Sequence, residues 1–224
     1  MQELIIFTQI QKNMKKVITI ALFVLSFITS FSQVHNAQEL IYIEEVNLLR
    51  TDPRAYAGFI REFAKAKLIS NNKNDTLTLW IINNELLPLL DTLKPRKKLV
   101  PDDNVRELLD LHKGALSVLK ARSLDSVKFV MMMHDFDMVD TVSKHLMSIG
   151  AISTTVAETI GMSPGDFQRR TIISLLIDRN VPNRGHRNRL LDNDVTGTAV
   201  KRVQDGKNVW WIQEFFSFSL KTNR

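Results

Sequence analysis

Between residues 37 and 49, Tyr42, Ile43, Val46 and Leu49 recur at three- and four-residue spacing, which predicts a helix with one apolar stripe. Asn47 and Arg50 fall off that stripe. Asp52-Pro53 ends this helix and starts another, with the aspartate as N-cap and the proline at the first helical position. Tyr56, Phe59, Ile60 and Phe63 then mark a second apolar face. Residues 71–75, Asn-Asn-Lys-Asn-Asp, read as a polar turn, and the leucine-rich stretch 76–93, broken by Pro88, as one or two short helices. Asp102-Asp103 predicts a capped helix running to about Arg122, with Val105, Leu108, Leu109, His112, Leu116 and Leu119 along one side. On that stripe His112 reads as a packed, hydrogen-bonded core residue and stays outside the candidate site.

The apolar run from Val127 to Met133 ends in three methionines, read as core filling and not copper binding because no second Met or His cluster shares their spacing. A helix follows His134-Asp135 to about Ser148, where Gly150 stops it. Ile152 to Ile160 reads as a short strand carrying Glu158. Ser163-Pro-Gly-Asp166 has the pattern of a helix start, with serine as N-cap and an acid three residues on. The helix it predicts is apolar through Ile177, with Thr171, Ser174 and Asp178 on one polar stripe that need not be buried. Val195–Val203 and Asn208–Phe216 flank Asp205-Gly206, a strong hairpin signal. Helices, one earlier strand and a late hairpin predict an α+β domain, a small antiparallel sheet covered by helices.

The first 32 residues change this picture. Met14-Lys-Lys16 precedes an apolar core, Val17 to Ile28, and then the small residues Ser30 and Ser32. That is the layout of a secretory signal peptide cleaved after Ser32, and the core is shorter than the roughly 20 residues of a membrane span. The rival reading is an uncleaved anchor, because apolar Leu4-Ile-Ile-Phe7 lies upstream. Met14 opens the signal more naturally than Met1, so 1–13 reads as an over-called start. Residues 33–224 are then a single domain of an exported, secreted or periplasmic protein. They carry 27 basic against 23 acidic side chains, a spread-out excess with no basic tract or aromatic-basic module, which argues against nucleic acid. The chain has no cysteine, so an exported fold must hold by packing, which favours a bacterial envelope setting.

The candidate chemistry lies at element ends: His134, Glu158 and His186, with Asp178 before the stretch Asn183-Arg-Gly-His186. Gly185 is expected to let the backbone turn sharply before His186. Arg184, Arg187 and Arg189 read as a solvated or carboxylate-paired rim, with capture of an anionic ligand the minority reading. Two neutral imidazoles with one or two carboxylates form a plausible set for zinc or another divalent metal; the same groups can equally satisfy one another as a structural network. There is no thiol, and no serine stands in a Gly-flanked elbow: Ser163 reads as a cap and Ser174 as mid-helix.

The order Asn47-Leu-Leu-Arg50, a histidine after a helix, Ala157-Glu-Thr-Ile160, Gly185-His186, a Gly-containing strand and an aromatic strand resembles the CAP superfamily. That superfamily includes the cysteine-rich secretory, antigen 5 and pathogenesis-related 1 proteins, and the likeness is greatest to its bacterial secreted branch. The resemblance spans about residues 38–219, with an apparent insert near 64–97. It implies an α-β-α sandwich of CAP type with one large cleft, His134 and His186 as its two histidines, and Glu158 and Asp178 as its acids. This chain departs from the pattern in Ala157 and Thr159, where Gly and Asn are usual, in Asp178 for a usual Glu, and in lacking the framework cysteines. The resemblance implies a protein that acts by binding an unidentified lipid, glycan or protein through a polar His/acid cleft able to hold a divalent metal. Two alternatives stay open: a metal-dependent hydrolase with His134 and His186 as ligands and Glu158 as base, and a structural envelope module with a vestigial cleft.

Overall fold

The computed structural model describes residues 35–69, 75–112, 134 and 136–220. The predicted leader, the turn residues 71–74, the methionine run and the far half of the helix predicted to Arg122 lie outside the described residues. Among the described residues no helix is long and apolar enough to cross a membrane.

Helix α1, Ala37–Thr51, begins on a capping box in which Asn36 and Glu39 exchange side-chain and backbone bonds. Asp52 accepts from the Ala55 N–H and opens α2, Pro53–Ile69. The leucine-rich stretch is α3, Thr76–Ile81, a π-turn segment Ile82–Leu86, and α4, Leu87–Thr92. After the two-residue strand β1, Val100–Pro101, helix α5 covers only Asp103–Leu108 and closes with a 3-10 turn, Leu109–Leu111. His112 is extended, so the helix predicted from Asp103 is broken there. Helix α6, Phe136–Ser148, follows, and Gly150 at φ 101° ends it as expected.

Strand β2, Ala151–Pro164, is far longer than the predicted strand. It runs straight through Ser163, whose hydroxyl bonds the Gly165 carbonyl and caps nothing; α7 starts later, at Gln168, and runs to Ile177. A 3-10 turn, Pro182–Arg184, leads into α8, Gly185–Leu190. The hairpin forms as β3, Gly197–Asp205, and β4, Asn208–Leu220, around Gly206.

The sheet order is β1-β3-β4-β2. The β3–β4 and β4–β2 pairs are antiparallel, but β1 pairs parallel to β3, so the sheet is mixed and not purely antiparallel. Alternation along β4 splits the interior in two, because successive side chains leave a strand on opposite faces. Trp211 and Phe215 join α1, α2, the α3–α4 stretch and α7 in one core, while Ile212 and Phe216 join α5 and α6 in the other. Gly161 lets α7 lie close to β2: a Cβ there would fall 2.5 Å from the Thr171 methyl carbon.

The two off-stripe residues of α1 are buried, and each replaces a missing backbone partner. Asn47 both donates to and accepts from Leu99, the residue before β1. Arg50 spreads its guanidinium over the carbonyls of Lys97, Leu190, Asp192 and Val195. These bonds tie the C-terminal end of α8 and the segment after it to α1 and to the stretch before β1.

Candidate functional site

Glu158 stands on β2 with the parity of Val156 and Ile160, which places it on the α5–α6 side of the sheet. Its carboxylate is shared. Oε1 meets His134 Nδ1 at 2.6 Å and Oε2 meets His112 Nε2 at 2.5 Å. His112 is fully buried, as its apolar spacing implied, but its bond to Glu158 brings it into the site from which it had been left out. No sequence signal marked it, since the segment that carries it breaks from the helix predicted there. Burial alone would raise the Glu158 carboxyl, but the two imidazole hydrogen bonds and their charge outweigh it and hold the group below the ordinary carboxylate range.

Asp178 is built differently. It closes α7 in the left-handed conformation, φ 51°, and is 2 % exposed; Thr171 of its stripe is buried too, while Ser174 between them stays exposed. Oδ1 meets His186 Nδ1 at 2.7 Å, and Oδ2 accepts the backbone N–H groups of His186 at 2.8 Å and Arg187 at 3.4 Å. The carboxylate therefore caps α8 and orients the imidazole at once.

The loop between them is held under strain. Asp178, Asn180, Asn183 and Arg184 all have positive φ, a conformation that costs a non-glycine residue about 1 kcal/mol or more. Gly185, by contrast, is ordinary helix at φ −55°; the sharp turn expected of it is made by the residues before it. Arg184 is held in place by two bonds to Glu85 and one to the Asp178 carbonyl. Arg187 is buried and bonds Glu85 and the Leu176 and Ile177 carbonyls, while Arg189 lies 3.7 Å from Asp192. The arginines are thus carboxylate-paired, as the rim reading had it. The residue that Arg184 and Arg187 share, Glu85, comes from the π-turn segment and had no sequence signal; hydrogen bonding from Arg184, then Arg187, holds its carboxyl at about 2.

The structure brings His134 and His186 together, with ring centroids 6.1 Å apart and planes inclined by 19°. Each ring spends Nδ1 on its own carboxylate, and neither Nε2 has a hydrogen-bond partner among the described residues. In the neutral form of each ring, beside an ionised carboxylate, Nδ1 carries the proton and Nε2 holds a lone pair. His134 is partly open, and His186 lines a hollow of about 610 Å³ together with Ile160, Met162, Trp210, Phe63 and Arg170. No group of three or more His, Cys, Asp or Glu side chains in the described residues has metal-holding geometry. The four predicted site residues therefore act as two imidazoles and two orienting acids. Comparison with family models, curated proteins and solved structures gave no match.

Proposed function

We propose that this is an exported CAP-type domain that acts by binding through the His134–His186 cleft, and that the cleft can hold a divalent metal. The observation that carries the reading is the pair of imidazoles, each fixed at Nδ1 by a carboxylate and presenting Nε2 at a half-open surface. That donor set suits zinc: nitrogen ligands whose second ring nitrogen is hydrogen-bonded to an acid are the usual arrangement at such sites. His134 and His186 would be the protein ligands, Glu158 and Asp178 would set their tautomers, and water or ligand would complete the coordination. When bound, zinc would supply a Lewis acid beside the hollow. With two protein ligands where catalytic zinc sites commonly have three, binding is expected to be weak.

The alternative, a hydrolase, draws on the same geometry, since a carboxylate-oriented imidazole is also a general base. Both Glu158 oxygens are taken by histidines, so in that reading His134 or His186 would accept the substrate's proton while Glu158 positions.

Metal analysis of the purified protein, repeated with His134→Ala and His186→Ala, tests the proposal. One zinc per chain, lost in both variants with folding intact, is the expected result. Absence of zinc at neutral pH under millimolar supply would reject the metal site and the metal-dependent hydrolase with it, leaving a polar network that binds without metal or merely holds the fold.

A further inference from the structure

Helix α2 and the start of α7 enclose a second hollow, which neither imidazole lines. Its volume is about 730 Å³, within the roughly 300–1,000 Å³ of sites that bury small molecules. Three phenylalanines wall it: Phe59 and Phe63 from α2, and Phe167 from the residue before α7. The walls are set by contacts of their own. Phe59 meets Tyr56 edge to face at 5.7 Å, and the Arg169 guanidinium lies 3.7 Å over its ring. Two bonds to Glu45 pin Arg169 in turn. Lys67 stands 5.7 Å from the centre of the Phe63 ring. Phe167 is 57 % exposed, and its ring rests against Gly165, where a Cβ would lie 3.4 Å from it.

The charges around this hollow are matched one by one, and one is left over. Glu62 bonds Lys65, Asp166 bonds Arg202, Arg169 bonds Glu45, and Lys67 lies 3.3 Å from Asp75. Arg170, exposed, is the lining charge with no ion pair among the described residues. Three aromatic rings thus stand beside a single unmatched guanidinium, whose planar fork suits a carboxylate. Phe63, Lys67 and Arg170 line the hollow of His186 as well, so the two hollows adjoin along that ridge.

We propose that the hollow between α2 and α7 binds a small aromatic acid with one negative charge, its rings among Phe59, Phe63 and Phe167 and its carboxylate on Arg170. Phenyl walls favour a flat π system over a saturated body of the same shape, because edge-to-face and offset contacts add to what area burial alone supplies. The single unmatched cation selects one anionic group; a second would meet Glu62 or Asp166. The volume accepts a two-ring acid whole, whereas a polypeptide or a glycan chain would have to run out of it. The bound acid sits beside the imidazole cleft without entering it. This site goes beyond the binding role read above and needs neither imidazole nor metal.

The test titrates the full chain with naphthoate by calorimetry and NMR. A Kd below about 1 mM is expected. Decahydronaphthoate, of like shape without the π system, and naphthamide, with the rings but no charge, should each bind at least about fivefold more weakly. Phe167 and Arg170 are both exposed, so their variants keep the fold. Phe167→Ala should weaken naphthoate about fivefold, and Arg170→Gln should abolish the advantage of the acid over the amide. Nuclear Overhauser contacts should run from the naphthyl protons to the rings of Phe59 and Phe63. No binding at about 10 mM, or equal affinity for the saturated acid, overturns the proposal. So does tighter binding of undecanoate, which would assign the hollow to an acyl chain. Affinity unchanged in both variants, or contacts to His186 in place of Phe59, would put the ligand elsewhere and overturn it too. The zinc reading is measured separately, and each can fail alone. Naphthoate bound without zinc rejects the metal site only, whereas zinc bound without naphthoate overturns this site only.

Discussion

Glu158 and Asp178 both grip a histidine through Nδ1, yet they stand on opposite kinds of backbone. Glu158 projects from the regular strand β2 and receives only imidazoles, His134 on one oxygen and His112 on the other. Asp178 ends a helix in a left-handed turn and receives one imidazole and two backbone N–H groups. An imidazole can exchange donor and acceptor roles between its nitrogens; a peptide N–H cannot. The strand half of the site is therefore tolerant in its hydrogen bonding, and the loop half is dictated by it. The strand half rests on the sheet, whereas the loop half rests on Arg50, Glu85 and a run of positive φ angles.

The most severe way to break this contrast is Arg50→Met. It keeps the length of the side chain but leaves the Lys97, Leu190, Asp192 and Val195 carbonyls without their donor, and a loss of about 4 kcal/mol is expected in urea unfolding. Exchange protection should fall first around α8, ahead of β2; uniform loss across the molecule would deny that Arg50 serves the loop in particular.

Asp178→Asn tests the dictated half. The amide oxygen must face the two backbone N–H groups, so its NH2 faces His186 and forces the ring into the other tautomer, with the proton on Nε2. Zinc affinity is expected to drop about 100-fold with little change in stability, and the inverted tautomer should show in the imidazole 15N shifts. Glu158→Gln, by comparison, can turn its NH2 toward His112 and spare His134, so the loss should stay within about tenfold. Equal losses in the two variants would erase the distinction drawn here.

The smallest effect is electrostatic. The Glu85 carboxyl is held at about 2 in the folded protein, below its ordinary 4.5, chiefly by Arg184. A depressed carboxyl contributes stability that is fully present above its unfolded value and is lost as pH falls through the folded one. The loop half should therefore loosen between pH 4.5 and 2, and Glu85→Gln should flatten that part of the stability curve. An unchanged slope in the variant would show that other carboxyls govern it.

What the sequence made legible follows from locality. The apolar stripe of α1, the Asp52 cap, the Gly150 stop and the turn at Gly206 each depend on residues a few positions apart, and each formed where expected. Of the candidate acids and histidines, expected at element ends, Asp178 and His186 stand at the end of α7 and the start of α8, whereas Glu158 stands mid-way along β2. The misses all turn on partners distant in the chain. His112 looked like one more residue of a helical face, but its partner is 46 positions away. Asn47 and Arg50 fell off the apolar stripe, and their burial was not legible because their partners are backbone atoms, which leave no pattern in side-chain type. The parallel strand β1 is two residues long, below any period that could reveal it. Ser163-Pro-Gly-Asp166 carries the letters of a helix start, but Ser163 is paired with Val209 in the long β2–β4 ladder, and that pairing outweighs the local preference.

The guanidinium of Arg50 also sets an order of events. Three of its four carbonyl partners lie 140 or more positions downstream, so its charge cannot be satisfied until the last quarter of the chain has arrived. Closing so large a loop is slow relative to forming local helices. The segment that presents His186 should therefore lock at the end of folding, and a chain cut short before Leu190 would leave the cation without three of its four acceptors.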